Sequence, residues 1–301
     1  MKLSQFGEFN LIERIAGKVK SKSPRVVVGI GDDAAVIKRP KTKDQRLKTN
    51  TLITSDLLIE DVHFDLSYTS FYQLGQKALA VNLSDIAAMG GYPTEAVVTL
   101  GLPKNLKVKD IDNLYRGINR MASIYNVSIV GGDTVKSDKV VVGIALLGEV
   151  EARNVILRSG ARVGDQIVVL GSLGKAAKAL AQRKCFVPKP QVKEARIIAK
   201  SHLATSMIDN SDGLARSIIE ITKSSGAGAR IFLDELPVAP GATHDQAFYG
   251  GEDYNLILTV PKNKLKKLKS KIKLSLTVVG EIVKKSKEQK LKDKGYDHFT
   301  F

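Results

Sequence analysis

Residues 26–37 read VVVGIGDDAAVI, two short apolar runs on either side of a Gly-Asp-Asp turn. Behind a strand, G-x-G-x-x-A is the spacing that opens a dinucleotide-binding βαβ unit. The residues after the turn defeat that reading. AAVI runs on as a second strand where a helix is required, and Asp32 and Asp33 would repel a pyrophosphate. The stretch is an acidic turn between two strands, and it is not a Rossmann fingerprint.

Working outward, SQFGEFNLIERIAGKV places Phe9, Ile12 and Ile15 near one face of a helix. TLITS reads as a strand, and FYQLGQKALAVNLSDIAAM as a helix rich in small residues that should pack closely. EAVVTLGL, VSIVGGD and KVVVGIALLGEV are further strands. VKDIDNLYRGINRMASIY is a helix with Ile111, Leu114, Ile118, Met121 and Tyr125 at helical spacing. Around Glu149 to Arg153 the pattern restarts. GDQIVVLG, ATSMID, ARIFLDE, NLILTV and LTVVGEIV read as strands, LGKAAKALAQR as a helix, and SDGLARSIIEITKSS as a helix capped by Ser211 or Asp212. Alternating strands and helices predict an α/β chain of two domains, 1–150 and 151–301. The length of 301 residues and 43% apolar content are enough for two cores.

The formal charge of +16 raises nucleic acid, anionic membrane and anionic small molecules as partners. Much of it sits in KNKLKKLKSKIK, residues 262–273, where Leu265, Leu268 and Ile272 recur at helical spacing behind Pro261. No aromatic residue interleaves with these lysines, so a solvated amphipathic helix is expected rather than a nucleic-acid arm. Cys185 is the single cysteine, which excludes a disulfide framework and a Cys-rich zinc site. No run approaches the ~18 apolar residues of a membrane span, and MKLSQFGEF lacks a signal-peptide core. A cytoplasmic chain without membrane or nucleic-acid partners is the expectation.

The aspartates carry the chemistry. Asp32 and Asp33 in GIGDDAAV, Asp56 in TSDLL, Asp133 in GGDT, and Asp209 and Asp212 in IDNSDGL stand at the edges of apolar strands, and Asp85 lies in NLSDIAAMGG. Any one of them is an ordinary turn former or helix cap. Together, carboxylates converging on a cleft repel one another unless cations neutralise them, and hard cations with oxygen ligands suit that role. Magnesium fits best, because it uses few carboxylates and completes its shell with water and phosphate oxygens. His63, His202, His244 and His298 lack zinc-site spacing. GSLGKAAKA has too few residues between its glycines for a Walker A loop and no Ser or Thr after Lys175. Its helix start near Gly174 offers backbone N–H groups to an anion, or glycines for close packing. ATP, if used, is therefore held through carboxylate-bound magnesium.

Taken in order, GEFNLIERI, GIGDDAAVI, TSDLLIEDVHF, NLSDIAAMGGYP, GGDT, RSGARVGD, IDNSDGL and YGGEDYNL resemble the motif series of the thiamine-monophosphate kinases, and the closing GYDHF resembles that family's end. The resemblance implies an N-terminal α/β domain that dimerises through its sheet, a C-terminal α/β domain, and an active site in the cleft between them. It implies transfer of the γ-phosphoryl group of ATP to thiamine monophosphate. By the same resemblance, Asp32, Thr54, Ser55, Asp56, Asp85, Asp133, Asp209 and Asp212 fall on magnesium positions, with Asp33 beside them. Gly132, Asp133, Arg158 and Ser211 match ATP contacts. His63, Glu252 and Tyr296 match the thiamine-phosphate side, and Asp85, Asp133, Asp212 and Arg158 are the expected catalytic set. Asp61, Ser217 and Asn255 depart from the family pattern, which usually has glycine, an acidic residue and glutamate there. A purine-pathway synthetase of the same superfamily remains the alternative, and a basic nucleic-acid-binding protein a more distant one.

Overall fold

The computed structural model describes residues 3–19, 23–39 and 49–285. The first half runs α1 (Leu3–Phe6), α2 (Glu8–Lys18), β1 (Val26–Val28), β2 (Ala35–Lys38), β3 (Thr49–Ile59), α3 (Phe71–Ala88), β4 (Tyr92–Leu102), α4 (Val108–Tyr125), β5 (Ser128–Lys136) and β6 (Val141–Glu151). The second runs β7 (Asp165–Leu170), α5 (Lys175–Ala181), α6 (Val192–Ser201), β8 (Ser206–Asp209), α7 (Leu214–Ser225), β9 (Gly228–Ile231), α8 (His244–Tyr249), β10 (Leu256–Pro261), α9 (Leu265–Lys269) and β11 (Leu276–Val283).

The strands form a six-stranded sheet, β1-β2-β3-β6-β4-β5, and a five-stranded sheet, β8-β10-β7-β11-β9. Among the strands of the described residues only β4 and β5 pair in parallel, joined by the α4 crossover; the other strand pairs are antiparallel. Alternation of helix and strand in the chain thus produced layered α/β packing with mostly antiparallel ladders.

Helix α3 is the hub. Ser70 and Gln73 close a capping box at its start, each side chain meeting the other's backbone N–H. Small residues let it pack closely, as its composition predicts: a Cβ on Gly75 would stand 2.0 Å from the Leu114 carbonyl oxygen, and one on Gly117 of α4 2.0 Å from that of Tyr72. The first core sits between this helix pair and the larger sheet, around Leu74, Leu79, Leu83, Ile86, Leu114 and Ile144. Each such side chain contributes about 2 kcal/mol by leaving water. The C-terminal end of α3, at Ala87 and Ala88, joins the core beneath α6 and α9, while α7 and α8 cover the other face of the smaller sheet. The smaller sheet is therefore buried on both faces. The larger is not: Ile53, Leu57, Val97, Val130, Val135 and Leu147 are exposed.

Local readings changed in a few places. The N-terminal helix breaks at Gly7, whose φ of 76° is left-handed, and Ile12 and Ile15 stay exposed. Helix α7 starts behind Gly213 without a side-chain cap, so neither Ser211 nor Asp212 caps it. The lysine-rich helix stops at Lys269, with Leu268 and Ile272 buried beneath it. No helix among the described residues is long and apolar enough to cross a membrane.

Candidate active site

The β1–β2 turn, β3, α3 and β8 converge on one cluster of carboxylates. Carboxylate oxygens of Asp33, Asp85 and Asp209 lie within 4.8 Å of one another. Each is held by a neighbour. Thr54 on β3 donates its hydroxyl to Asp85 Oδ2 at 2.5 Å, and Ser84 donates to Asp209 Oδ2 at 2.5 Å. Arg158 approaches Asp33 Oδ1 with its guanidinium at 2.6 Å, and its backbone N–H points at both oxygens of Asp32, 3.2 and 3.3 Å away. Buried Asn82 accepts the N–H of Asp56 at 3.1 Å, tying β3 to α3.

The electrostatics are those of carboxylates awaiting a counter-charge. Burial pushes Asp85 and Asp209 well above the ordinary carboxylate range, with repulsion from Asp56, Asp209 and Asp33 adding at Asp85 and from Asp33 at Asp209. Asp32 is pushed up to about 7, by burial and then by Asp33. Asp56 rises to about 6 through burial and Asp212, and Asp212 to about 6 through burial. Buried Asp33 Oδ2 has no hydrogen-bond partner among the described residues. An orphaned carboxylate oxygen inside a triad of such groups suits a hard cation.

A cavity of about 1130 Å³ is bordered by Glu8, Asp56, His63, Ser211, Asp212 and Glu252, and Asp56, whose charge acts on Asp85, links its wall to the cluster. His63 accepts the Ile59 N–H on Nδ1 at 3.0 Å. Ser211 receives the Glu252 N–H on its carbonyl at 2.6 Å, and its hydroxyl donates to Asp212 at 3.1 Å. Ser55 borders the cavity but alternates onto the exposed sheet face, opposite Thr54 and Asp56.

Within one chain, the structure separates Gly132 and Asp133 from the cluster. Register rows run Asp56–Ile144–Val98–Gly132 and Leu57–Gly143–Thr99–Asp133 across the sheet. Strands β6 and β4 intervene, roughly 14 Å at ordinary strand spacing. Asp133 shares the exposed face with Leu57, and Gly132 has a packing role, since a Cβ there would meet the Val98 carbonyl oxygen at 1.8 Å. The anion role considered for the helix start at Gly174 is also taken: Asp253 accepts the N–H groups of Gly174 and Ala176. Tyr296 lies outside the described residues.

The departures from the family pattern have local accounts. Asp61 adopts a left-handed φ of 64°, a conformation a glycine adopts freely. Ser217 bonds the Asp209 carbonyl at 3.1 Å, and Asn255 the Leu170 carbonyl at 2.5 Å. Sequence reasoning missed Lys77, Asn82 and Ser84. Their signal was present, as polar residues in an otherwise apolar buried helix.

Residues 31–150 match the model of the AIR synthase related protein, N-terminal domain, and residues 162–291 that of its C-terminal domain. Fold and site together define an AIR synthase-related protein of two α/β domains. Thiamine-monophosphate kinase of Bacillus subtilis (strain 168) is 33% identical over 97% of this chain and 99% of its own length. That of Aquifex aeolicus (strain VF5) is 32% identical over 99% and 100%. The solved structure of AaThiL complexed with AMPPCP and TMP superposes with a TM-score of 0.84 at 30% identity, covering 99% of both chains. The chain belongs to the thiamine-monophosphate kinase family.

Proposed function

We propose that this protein transfers the γ-phosphoryl group of ATP to the phosphate of thiamine monophosphate, giving thiamine diphosphate and ADP. The observation that carries the reading is the Asp33, Asp85 and Asp209 triad beside Arg158, next to a cavity of about 1130 Å³. A phosphate acceptor has its second pKa near ~6, so it presents a nucleophilic oxygen without a strong general base. This fits a site with several carboxylates and no nucleophile–base pair. Asp33, Asp85 and Asp209 would hold magnesium, with Asp32, Thr54, Asp56 and Asp212 around them, and Ser55 would face a further ion from the cavity border on the other face of β3. Bound there, magnesium supplies the positive charge that lets two anionic groups approach.

Arg158, held by Asp33 and Asp32, is assigned to charge stabilisation on the triphosphate, and Ser211, on the cavity border, to the nucleotide. His63, Glu252 and Tyr296 are assigned to the thiamine-phosphate side, Tyr296 by stacking on the cationic thiazolium.

A homodimer formed through the exposed face of the larger sheet would cover Ile53, Leu57, Val97, Val130 and Val135. The nucleotide roles assigned to Gly132 and Asp133 then require the second copy, because these residues lie away from their own chain's cluster. The chain is assigned to the cytoplasm, where ATP is abundant and Cys185 stays reduced. The test is chromatography after incubation with ATP, magnesium and thiamine monophosphate. Thiamine diphosphate with equimolar ADP is expected; no product under conditions where ATP binds overturns the reading.

A further inference from the structure

Lys77 is a cation in an apolar place. It lies on α3 among buried Leu74, Ala78, Leu79, Ala80 and Val81, and its side chain is only 6% exposed. Its ammonium donates to Glu252 Oε1 at 2.8 Å and to the His63 carbonyl oxygen at 2.7 Å. Both partners belong to the cavity wall, and they arrive from opposite halves of the chain: His63 follows β3, and Glu252 follows α8. Lys77, Val81 and Asp85 recur at helical spacing, so one stripe of α3 carries the ammonium at one end and Asp85, its member of the carboxylate triad, at the other.

A methionine would fill the same space, and replacing a buried ion by an apolar isostere commonly leaves a fold as stable or more so. Glu252, with a side chain 35% exposed, would regain water. Folding alone therefore gives little reason for a buried ammonium here. Glu252 gives a better one: it has a left-handed φ of 64°, and its N–H is held by Ser211. A non-glycine residue keeps such a conformation only where its surroundings impose it.

We propose that Lys77 is a positioning residue that locks Glu252 and the His63 segment into one preformed wall, making recognition of the phosphate acceptor depend on contact between the two domains. The assignment of that wall to thiamine monophosphate rests on the function proposed above. The nucleotide is assigned to the carboxylate end of the stripe, so the effect of Lys77 is expected at the acceptor.

The experiment compares Lys77→Met, Glu252→Gln and the double variant by steady-state kinetics, with hydrogen exchange over residues 250–254 and 59–64 measured without substrate. Lys77→Met is expected to raise KM for thiamine monophosphate by on the order of tenfold, from loss of a charge-assisted hydrogen bond, with KM for ATP unchanged. The double variant is expected to be no worse than the more impaired single, since both act on the Lys77–Glu252 pair. Exchange in 250–254 is expected to quicken in Lys77→Met. Equal changes in both KM values, additive effects, or unchanged exchange overturn the proposal. Should wild type bind ATP but not turn over thiamine monophosphate, the functional reading fails, and the exchange measurement alone still decides Lys77. If Lys77→Met does not fold, Glu252→Gln removes the charge of the pair from its outer side, and unchanged exchange in 250–254 is then the overturning result.

Discussion

Raising the pH without divalent cations should destabilise this protein, and magnesium should restore it. Carboxyl groups with raised pKa values bind protons more tightly in the folded chain than in the unfolded one. Their contribution is complete below the ordinary value of 3.8 and is lost as pH rises through the folded values, about 6 for Asp56 and Asp212 and about 7 for Asp32. Each tenfold in proton affinity is worth ~1.4 kcal/mol, so Asp212 alone, at about 6 instead of 3.8, contributes about 3 kcal/mol at low pH, of which roughly half remains to be lost between pH 5 and pH 8. Asp32 and Asp56 add to this, but less than independently, since each titrates beside another carboxylate. At roughly 2–4 °C per kcal/mol for a domain of this size, the midpoint should fall by on the order of 5–10 °C between pH 5 and pH 8 in EDTA. Glu151 does not confuse the window. Hydrogen bonds from Arg196 hold it at about 2 against its own burial, so its contribution fades only below its ordinary 4.5. Magnesium at a hundred times its Kd should recover ~2.7 kcal/mol at pH 8, and much less at pH 5, where protons compete. Scanning calorimetry in EDTA and in magnesium, at both pH values, is the assay. A pH-independent midpoint in EDTA, or equal magnesium stabilisation at both pH values, would refute the reasoning.

Asp85→Asn should lower kcat by on the order of a hundredfold or more while leaving the chain folded, because the amide still accepts from Thr54 but carries no charge; product chromatography and circular dichroism check both parts. Leu57→Glu combined with Val97→Glu puts repelling charges on the open sheet face and should yield monomer in sedimentation velocity, with activity lost if Asp133 acts across the interface. Gly75→Ala should destabilise by at least ~2 kcal/mol in urea denaturation, although alanine favours helix by up to ~1 kcal/mol, because the added methyl meets the Leu114 carbonyl at 2.0 Å.

Much of the site was legible because its residues mark strand ends and turns, which local patterns reveal. Asp32 and Asp33 sit in the turn between two runs whose apolar pattern already demanded strands, and Asp209 closes β8 where its apolar run ends. GGDT suggests a strand end for Asp133 by the same logic, yet Asp133 lies inside β5 and does not join the others in its own chain. Strand order decides that, and order depends on how distant segments pair. Lys77 escapes a local reading because its partner Glu252 is 175 residues away. The helix start at Gly174 looks open to an anion until the fold delivers Asp253 to it from 79 residues further on.

By itself, then, the chain determined its helices and strands, its close-packing α3, its aspartate-rich turns and its family, since each of these depends on neighbours a few residues apart or on motifs read in order. Tertiary structure alone decided which carboxylates converge, which sheet face stays open, and which cation bridges the cleft. Those outcomes depend on sheet order, register and the crossing of α3 with α4, where contacts between segments far apart in the chain outweigh local preference.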